Sequence, residues 1–566
     1  MKQTGFYIKM VGTKLKSIFK KLLSINSERW SKSKSIAVLL STAICIPIIF
    51  IISYLFIPGG ETWNFILENL FWHYVTETFI LMIFTAVFVT IIGVSTAWLV
   101  STYNFPFVKH FEWLLILPLA IPGYIAAYTY SGMFDITGPV YFFLNNYLGH
   151  QNTISLLPEV KSMSGGIFIL SIVLYPYVYV VTRAYFSVQY TSYTEVASSL
   201  GLSNFQSFFR LAVPMARPAI VAGVSLVLME LLNDYGTVKY LGINTFTIGI
   251  FTSWSSFGDT RAALKIAAWL LFIVVAILYL ERRQRGSARF ETQDNTSTIA
   301  TKQHLKGFSA FIAVLVCGLP FLLGFLLPVV QLLYWASLTY ADVLNMNFLI
   351  LIQNSFVLAF TAAGICILIG IALAYLQRIE NSFIQKIIIR LATVGYAIPG
   401  AVIAMGILVP AVAIDRQLIG FVQFFNSDFN QLILTGSIGI LVYGYVVRFL
   451  AVSFNSLDSG FEKIPRVLDE TSRSLGYSPF QTLYKVNLPL LKKSIIAAGI
   501  LAFVDIIKEL PLTLILRPFN FDTLAIKAFE LASDEQIAQS APAALVIIIT
   551  GIVPILILNR IFAKLK

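Results

Sequence analysis

The stretch Glu195-Val-Ala-Ser-Ser-Leu-Gly201 recurs 275 residues later as Glu470-Thr-Ser-Arg-Ser-Leu-Gly476. Each copy leads to an apolar-x-apolar-Pro ending, Leu211-Ala-Val-Pro214 and Val486-Asn-Leu-Pro489, with the proline nineteen residues after the glutamate. A long segment that recurs with the same internal spacing indicates an internal repeat. The sequence therefore predicts a chain built from two equivalent halves.

Further matches extend the repeat toward the N-terminus of each half. Ala120-Ile-Pro-Gly123 recurs as Ala397-Ile-Pro-Gly400 at an offset of 277, and a two-residue insertion accounts for the change of offset. The same offset pairs Phe79 with Phe356, Gly93 with Gly370, Ala97 with Ala374, and Leu99 with Leu376.

The composition predicts a polytopic membrane protein. Of 566 residues, 57% are hydrophobic and 12% are charged, whereas ordinary soluble domains carry about 25% charged residues. Mean hydropathy is +0.80, which excludes soluble domains and a disordered chain. The net charge of +12 comes from basic residues clustered between apolar runs, which favours a topology signal over nucleic-acid binding.

Twelve apolar runs are long enough to cross a bilayer as helices. They lie near residues 36–58, 76–101, 111–133, 166–187, 216–237, 262–280, 309–335, 352–376, 390–412, 432–454, 494–516 and 543–561. Six spans separate equivalent positions, so the halves are parallel repeats, and a pathway between them is the expected geometry. The three cysteines fall inside these runs without metal-ligand spacing, and no metal site is predicted from them.

Loop charge predicts the orientation and the domain boundaries. Residues 1–35 carry nine Lys or Arg and one acid, and the linker 281–307 carries six Lys or Arg. The loops 59–75 and 337–351 carry none, which places both termini and the linker in the cytoplasm. We expect a basic N-terminus over 1–35, a first half over 36–280, a flexible cytoplasmic linker over 281–307 and a second half over 308–566.

The repeated segment predicts a cytoplasmic helical hairpin in each half. The residues from Glu195 are expected to form a short helix that Gly201 ends with a positive φ. A second short helix would follow, and Pro214 would break it before the next span. Its apolar face is formed by Phe205, Phe208 and Phe209.

These paired loops resemble the coupling loops of permease subunits of binding-protein-dependent ABC importers. That family carries Glu-Ala-Ala, three residues, Gly, nine residues, then Ile-x-Leu-Pro, and the spacing fits here in both halves. The resemblance assigns this role to Glu195, Ala197, Gly201 and Pro214 in the first coupling loop (residues 195–214), and to Glu470, Gly476 and Pro489 in the second (residues 470–489). The identities depart from the pattern at Val196 and at Thr471-Ser472.

The resemblance also implies a fold, partners and a location. It implies an all-α integral membrane protein of the type I ABC importer kind, in a bacterial inner membrane and not itself an enzyme. An ATP-binding subunit, expected as a homodimer, would dock on the cytoplasmic face, and a substrate-binding protein on the outer face. The chain has no Gly-x-x-x-x-Gly-Lys-Ser/Thr phosphate loop, so ATP would be used by the partner and no cofactor is expected here.

A narrower resemblance concerns the substrate. Fused permeases of ferric-iron importers are similar over essentially the whole length, including stretches like Glu230-Leu-Leu-Asn-Asp-Tyr-Gly-Thr237 and the run from Lys508 to Leu524. Fused thiamine and aminoethylphosphonate permeases share the architecture and stay as alternatives.

Two acid pairs give an argument from the residues themselves. Glu230 and Asp234 are four residues apart in the fifth predicted span, and the repeat pairs them with Asp505 and Glu509 in the eleventh. Intramembrane acids usually face a polar interior, and hard trivalent cations prefer carboxylate oxygens. These acids are therefore candidates for a translocation pathway. The alternative is that they cap a helix at the interface or pair with Lys508.

Two other classes of protein fit the sequence less well. An ion-coupled secondary transporter can also contain parallel six-helix halves, but the paired coupling loops argue against it. A membrane enzyme has no support, because no polar group of catalytic spacing occurs inside the spans.

Overall fold

A computed structural model describes residues 32–199, 201–285, 302–379, 383–425 and 431–563. Nearly all of the basic N-terminus and most of the linker, including the predicted tether from Glu291 to Thr298, lie outside these residues. Within them the fold is helical apart from one pair of two-residue strands. The predicted all-α membrane class is confirmed.

The first half contains thirteen helices among the described residues. They are α1 (Lys32–Ser53), α2 (Glu61–Asn69), α3 (Phe71–Thr102), α4 (Val108–Leu114), α5 (Gly123–Phe134), α6 (Pro139–Leu148), α7 (His150–Leu156), α8 (Met163–Ser199), α9 (Asn204–Ser207), α10 (Val213–Asn233), α11 (Gly236–Leu241), α12 (Phe246–Phe251) and α13 (Thr260–Arg285). Short 3-10 and π-helical segments, among them Leu117–Ala120 and Phe208–Ala212, join some of them.

The second half repeats this order over its described residues. Its helices are α14 (Gly307–Phe321), α15 (Leu327–Val343), α16 (Met346–Ile379), α17 (Phe383–Ala392), α18 (Gly400–Gln423), α19 (Ile438–Glu462), α20 (Val467–Ser474), α21 (Pro479–Thr482), α22 (Leu488–Ile507), α23 (Pro511–Leu516), α24 (Leu524–Ser533) and α25 (Ile537–Ala563). A π-helical segment, Leu322–Leu326, joins α14 to α15.

Ten described helices are long and apolar enough to span a bilayer, and the count becomes eleven when a bent pair is included. That pair covers the predicted span 111–133, which turns by 90° between Ala120 and Gly123. The predicted span 494–516 is also interrupted, since α22 ends at Ile507 and α23 begins at Pro511. α22 is not among the ten helices because it carries three charged residues, Lys492, Lys493 and Asp505, within its 20 residues. The predicted span 390–412 is interrupted at the equivalent place, since α17 ends at Ala392 and α18 begins at Gly400, so the predicted spans are broken in both halves.

Equivalent glycines allow the same close helix packing in both halves. A Cβ atom on Gly93 of α3 would lie 2.7 Å from the Val178 side chain of α8. A Cβ on Gly370 of α16 would lie 2.9 Å from the Leu457 side chain of α19. Small residues let membrane helices approach closely, which is how apolar packing stabilises a bundle in lipid.

The first helix of each half packs against the other half. In α1, the carbonyl of Ala43 accepts a hydrogen bond from Tyr443 Oη at 2.5 Å, and a Cβ on Gly406 would lie 2.7 Å from the Pro47 carbonyl oxygen. In the other direction, Tyr130 Oη donates to the carbonyl of Leu323 at 2.5 Å. The two halves are thus interlocked by exchanged helices.

The end of the linker returns to the first half. Strand β1 (Tyr103–Asn104) pairs in parallel with strand β2 (Gln303–His304), with Tyr103 opposite Gln303. Nearby, Lys302 Nζ lies 3.7 Å from a carboxylate oxygen of Glu112. The chain therefore enters the second half from a fixed point on the first.

Candidate functional site

A cavity of about 90 Å³ lies between the two halves and is lined by both. All four predicted acids line it, together with two cationic side chains of the second half and several tyrosines. The ionisable lining residues are Glu230, Asp234, Asp505, Glu509, Arg448 and Lys508, and the tyrosines are Tyr124, Tyr177, Tyr235 and Tyr396. The four acids, predicted from symmetry alone, are brought together here; a role in translocation stays a prediction.

The first-half acids are held by neutral groups. Glu230 Oε1 accepts hydrogen bonds from Tyr396 Oη at 2.9 Å and from Tyr177 Oη at 3.3 Å. Asp234 follows the last residue of α10, and it accepts from the backbone N–H of Thr237 at 2.8 Å and from its hydroxyl at 2.5 Å. Among the described ion pairs, no cation lies within 4.0 Å of either carboxylate.

The second-half acids are paired with cations. Asp505 Oδ1 lies 2.9 Å from Lys508 Nζ, and Glu509 Oε2 lies 3.3 Å from Arg448 Nε. Arg448 and Glu509 are 3% and 5% exposed, so this pair is nearly fully withdrawn from solvent. Glu509 Oε1 also accepts from the N–H of Leu512 at 3.2 Å. The alternative interpretation, that these acids cap a helix or pair with Lys508, is thus met in part, because Asp505 does pair with Lys508.

The repeated Ile-Pro-Gly turns form the other wall of the cavity. Pro122 and Pro399 precede the first residues of α5 and α18, where a proline ends the preceding segment. A Cβ on Gly123 would lie 2.6 Å from Asp234 Oδ2, and a Cβ on Gly400 would clash with Glu509 Oε1. Only glycine allows the acid to approach the turn in each half. The motif that revealed the repeat is therefore also part of the site.

Two hydrogen bonds cross from one half to the other at the cavity. One is the bond from Tyr396 to Glu230, and the other runs from the backbone N–H of Gly400 to Asn233 Oδ1 at 2.7 Å. Both connect the end of α10 to the turn before α18. A relative movement of the two halves must break them.

Sequence reasoning missed several of these residues. Nothing in the sequence distinguishes Tyr177 from the neighbouring Tyr175 and Tyr179, but it lines the cavity and donates to Glu230. Arg448 lies inside the predicted span 432–454, where an arginine is unusual enough to mark a functional position. Across the described part of the chain, no group of three or more His, Cys, Asp or Glu is placed to hold a metal ion.

The two coupling loops differ in their first helix. Residues from Glu195 continue α8 without a break to Ser199, and the side chains of Glu195 and Ala197 lie outside the described set. The second copy has a separate helix, α20, because Pro465 interrupts the chain after α19; the first half has Tyr190 at that position. The prediction of a separate short helix is thus confirmed for the copy that contains Glu470 and wrong for the copy that contains Glu195. Gly201 and Gly476 end their helices with φ of +62° and +84°, as predicted.

Contrary to the prediction, Pro214 does not end the second helix of the hairpin, and neither does Pro489. Pro214 lies inside a continuous helix from Phe205 to Asn233, and Pro489 lies at the second position of α22. Each follows a five-residue π-helical segment, Phe208–Ala212 or Leu483–Asn487. The wider turn accommodates the missing N–H and the proline ring, so the helix continues. The coupling loop is consequently one rigid piece with the span that reaches the cavity.

Both loops expose large apolar side chains. Phe205 and Phe209 are 73% and 54% exposed, and their rings contact each other in a tilted arrangement with centroids 4.7 Å apart. In the second loop Phe480 is 75% exposed and Tyr484 is 67% exposed. Exposed apolar clusters of this kind mark protein interaction surfaces.

Replacing both turn glycines with valine is expected to weaken assembly with the ATP-binding subunit. No atom lies within 4 Å of a Cβ at Gly201 or Gly476, so the effect comes from the positive φ alone, about 1–3 kcal/mol per site. Co-purification of the two subunits measures it. Gly420→Val is the matched control, because that helical position also has open space. Normal co-purification of the double variant would contradict the expectation.

The fold and the site define a polytopic membrane permease, with two parallel halves around a polar cavity and a coupling loop on each half. The family model of the binding-protein-dependent transport system inner membrane component matches the chain twice, over residues 90–285 and 366–566. The chain belongs to this family and is a fused, multi-pass inner-membrane permease. The family implies an ATP-binding partner and a substrate-binding partner.

Relatives of this chain are transport permeases rather than enzymes. It is 27% identical to the Fe(3+)-transport system permease protein FbpB 2 of Haemophilus influenzae over 494 residues. This match covers 86% of this chain and 89% of that protein. It is 22% identical to the ferric transport system permease protein FbpB of Actinobacillus pleuropneumoniae, over 69% of this chain and 56% of that protein. The sulfate transport system permease protein CysT of Escherichia coli is 27% identical over 36% of this chain and 71% of its own length.

Proposed function

We propose that this chain is the permease of a ferric-iron importer, driven by ATP hydrolysis in a separate subunit. The observation that carries the proposal is collinearity across both fused halves with a relative named for Fe(3+) transport, over 86% of this chain. The relatives named for sulfate or 2-aminoethylphosphonate transport match over 36–37% of the chain.

The charge of the cavity supports a cationic cargo. Its lining contains four carboxylates and two cationic side chains, a formal excess of two negative charges. Both cations are already paired with Asp505 and Glu509, which leaves Glu230 and Asp234 as the uncompensated charges. Carboxylate and phenol oxygens suit a hard trivalent ion.

An oxyanion is the second candidate cargo. Arg448 and Lys508 line the same cavity and are the groups that bind sulfate or phosphonate oxygens. An oxyanion would have to displace Glu509 or Asp505 from its partner. The relatives named for sulfate and 2-aminoethylphosphonate transport support this candidate. Thiamine is a cation that carboxylates and tyrosine rings would also suit, but the proposal favours iron because of the relative named for Fe(3+) transport.

We propose that both coupling loops dock on a homodimeric ATP-binding subunit in the cytoplasm, with both termini on that side. The exposed rings of Phe205 and Phe480 fit such a docking surface. A cysteine at Ser337 should then be labelled only from outside, in a chain whose native cysteines have been replaced; labelling from the cytoplasm would reverse the orientation.

The geometry suggests how docking opens the cavity. Each loop runs through a π-helical segment into α10 or α22, and these helices end at Asp234 and at Lys508-Glu509 on the cavity wall. When the ATP-binding subunit closes, the two loops approach each other and displace these ends. The bonds from Glu230 to Tyr396 and from Asn233 to Gly400 then separate, and the cavity opens to one side.

Transport by the purified complex in proteoliposomes tests the proposal. With an iron-loaded binding protein outside and ATP inside, we expect saturable iron uptake that does not depend on membrane potential. Uptake of sulfate or 2-aminoethylphosphonate in place of iron would establish the second candidate. Uptake driven by an ion gradient without ATP would instead indicate a secondary transporter.

A further inference from the structure

Arg378, the penultimate residue of α16, forms the densest hydrogen-bonded junction near the second coupling loop. Its Nε donates to Asp469 Oδ2 at 2.5 Å, and its Nη1 donates to the carbonyl of Phe461 at 2.6 Å. Its Nη2 donates to the carbonyls of Ile464 at 2.9 Å and Pro465 at 3.3 Å. The side chain is 7% exposed. The planar guanidinium is suited to such a fork of acceptors, whereas a lysine is not.

The junction joins three helices to the start of the loop. The carbonyls belong to the C-terminal end of α19 and to the residues that follow it, where the regular helical hydrogen bonding ends. Asp469 lies on α20, and its other oxygen accepts from Asn487 Nδ2 at 3.0 Å. Asn487 is the last residue of the π-helical segment before α22. One ion pair therefore links α16, α19, α20 and the start of α22.

The residue types that form this junction occur in one half only. At the repeat offsets, Ser101, Thr194 and Ala212 stand where the second half has Arg378, Asp469 and Asn487. In the first half the corresponding end of α3 contacts the loop through Trp98, whose ring lies 5.6 Å from that of Phe208. Its counterpart Tyr375 also contacts the second loop, by donating to the carbonyl of Pro479 at 2.5 Å, so the halves differ in the Arg378 junction.

We propose that Arg378 is a positioning residue for coupling. It holds the second coupling loop against α16 and α19, so that displacement of the loop moves these helices together with α22 and is not absorbed by bending. This inference rests on the proposed docking of an ATP-binding subunit. Arg448 lies on α19 and Lys508 follows the end of α22, so the same body reaches the cavity.

Hydrogen exchange of the permease alone tests the junction without any partner. In Arg378→Gln, amides of α20 should exchange about tenfold faster, since a charged hydrogen bond that secures the segment is lost. Asp469→Asn should act in the same direction but less, because Arg378 keeps its three carbonyl acceptors, and the double variant should be no worse than Arg378→Gln alone. Arg390→Gln, a matched change at an exposed arginine of α17, should have no effect. Unchanged exchange in Arg378→Gln would overturn the proposal.

The assembled complex supplies the functional readout. In Arg378→Gln, the number of ATP molecules hydrolysed per iron ion transported should rise by about tenfold, while assembly stays near the wild-type level. Arg378→Lys should recover only part of the coupling, because it keeps the charge but not the fork. An unchanged ratio, or hydrolysis and uptake that fall together with protein abundance, would overturn the positioning role. A wild-type complex without ATP-dependent iron uptake would overturn the proposed function and leave the exchange result standing.

Discussion

Glu230→Gln is expected to reduce iron uptake by at least about tenfold while the protein stays folded. Glutamine keeps the size of the side chain and a carbonyl oxygen that accepts from Tyr396 and Tyr177, but it removes the charge. A unit charge at 4 Å contributes about 4 kcal/mol per unit of cargo charge at an effective dielectric constant near 20, and a tenfold change needs only about 1.4 kcal/mol. Because no described cation pairs with Glu230, the substitution leaves no charge unpartnered.

Initial rates of iron uptake at equal membrane abundance measure this effect. Glu68→Gln makes the same chemical change at an exposed position of α2 and should leave uptake unchanged. An oxyanion cargo predicts the opposite sign, since removing a negative charge from the cavity would favour an anion. Wild-type uptake of iron by Glu230→Gln would remove Glu230 from the pathway but leave the family assignment intact.

The repeat and the acid pairs could be predicted from the sequence because both depend on residue identity at fixed spacing. Glu230, Asp234, Asp505 and Glu509 lie in one cavity because equivalent residues of parallel repeats meet near the axis between them. The spans could be predicted from hydropathy because a helix that crosses a bilayer must be long and apolar.

The breaks in the spans could not be predicted from apolarity. Residues 111–133 are mostly apolar, yet the chain turns at Pro122, where the cavity and the acid of another segment replace lipid as the surroundings. Conversely, Pro214 looked like a helix end but is accommodated by a π-helical segment. Irregular backbone inside a membrane is tolerated only where it lines a cavity or is covered by protein, and that depends on tertiary structure.

The exchange of first helices between the halves also lies beyond sequence pattern. The runs 36–58 and 309–335 have the composition of any span, and nothing local indicates which half each will contact. The packing depends on particular shapes, such as the space beside Gly406 that admits Ile51 and Pro47 of α1.

Glu509→Gln is expected to destabilise the permease strongly, by about 3–5 kcal/mol, because it leaves Arg448 charged and buried without its partner. Arg448→Met should have an effect of similar size by leaving Glu509 unpaired. The double variant removes both charges and keeps a carbonyl oxygen able to accept from Leu512, so it should regain most of the lost stability. The fraction of protein that stays monodisperse after heating in detergent measures the stability of the wild type, the two single variants and the double variant.

The partly exposed pair of Asp505 and Lys508 provides the matched control. Its side chains are 17% and 24% exposed, so Asp505→Asn should destabilise far less, by about 1 kcal/mol or below. A double variant as unstable as Glu509→Gln alone would show that packing, not the ion pair, sets the effect.

The same double variant also separates the two candidate cargoes. It removes one positive and one negative charge and leaves the cavity's excess of two negative charges intact, so iron uptake should persist, whereas an oxyanion bound by Arg448 would no longer be transported.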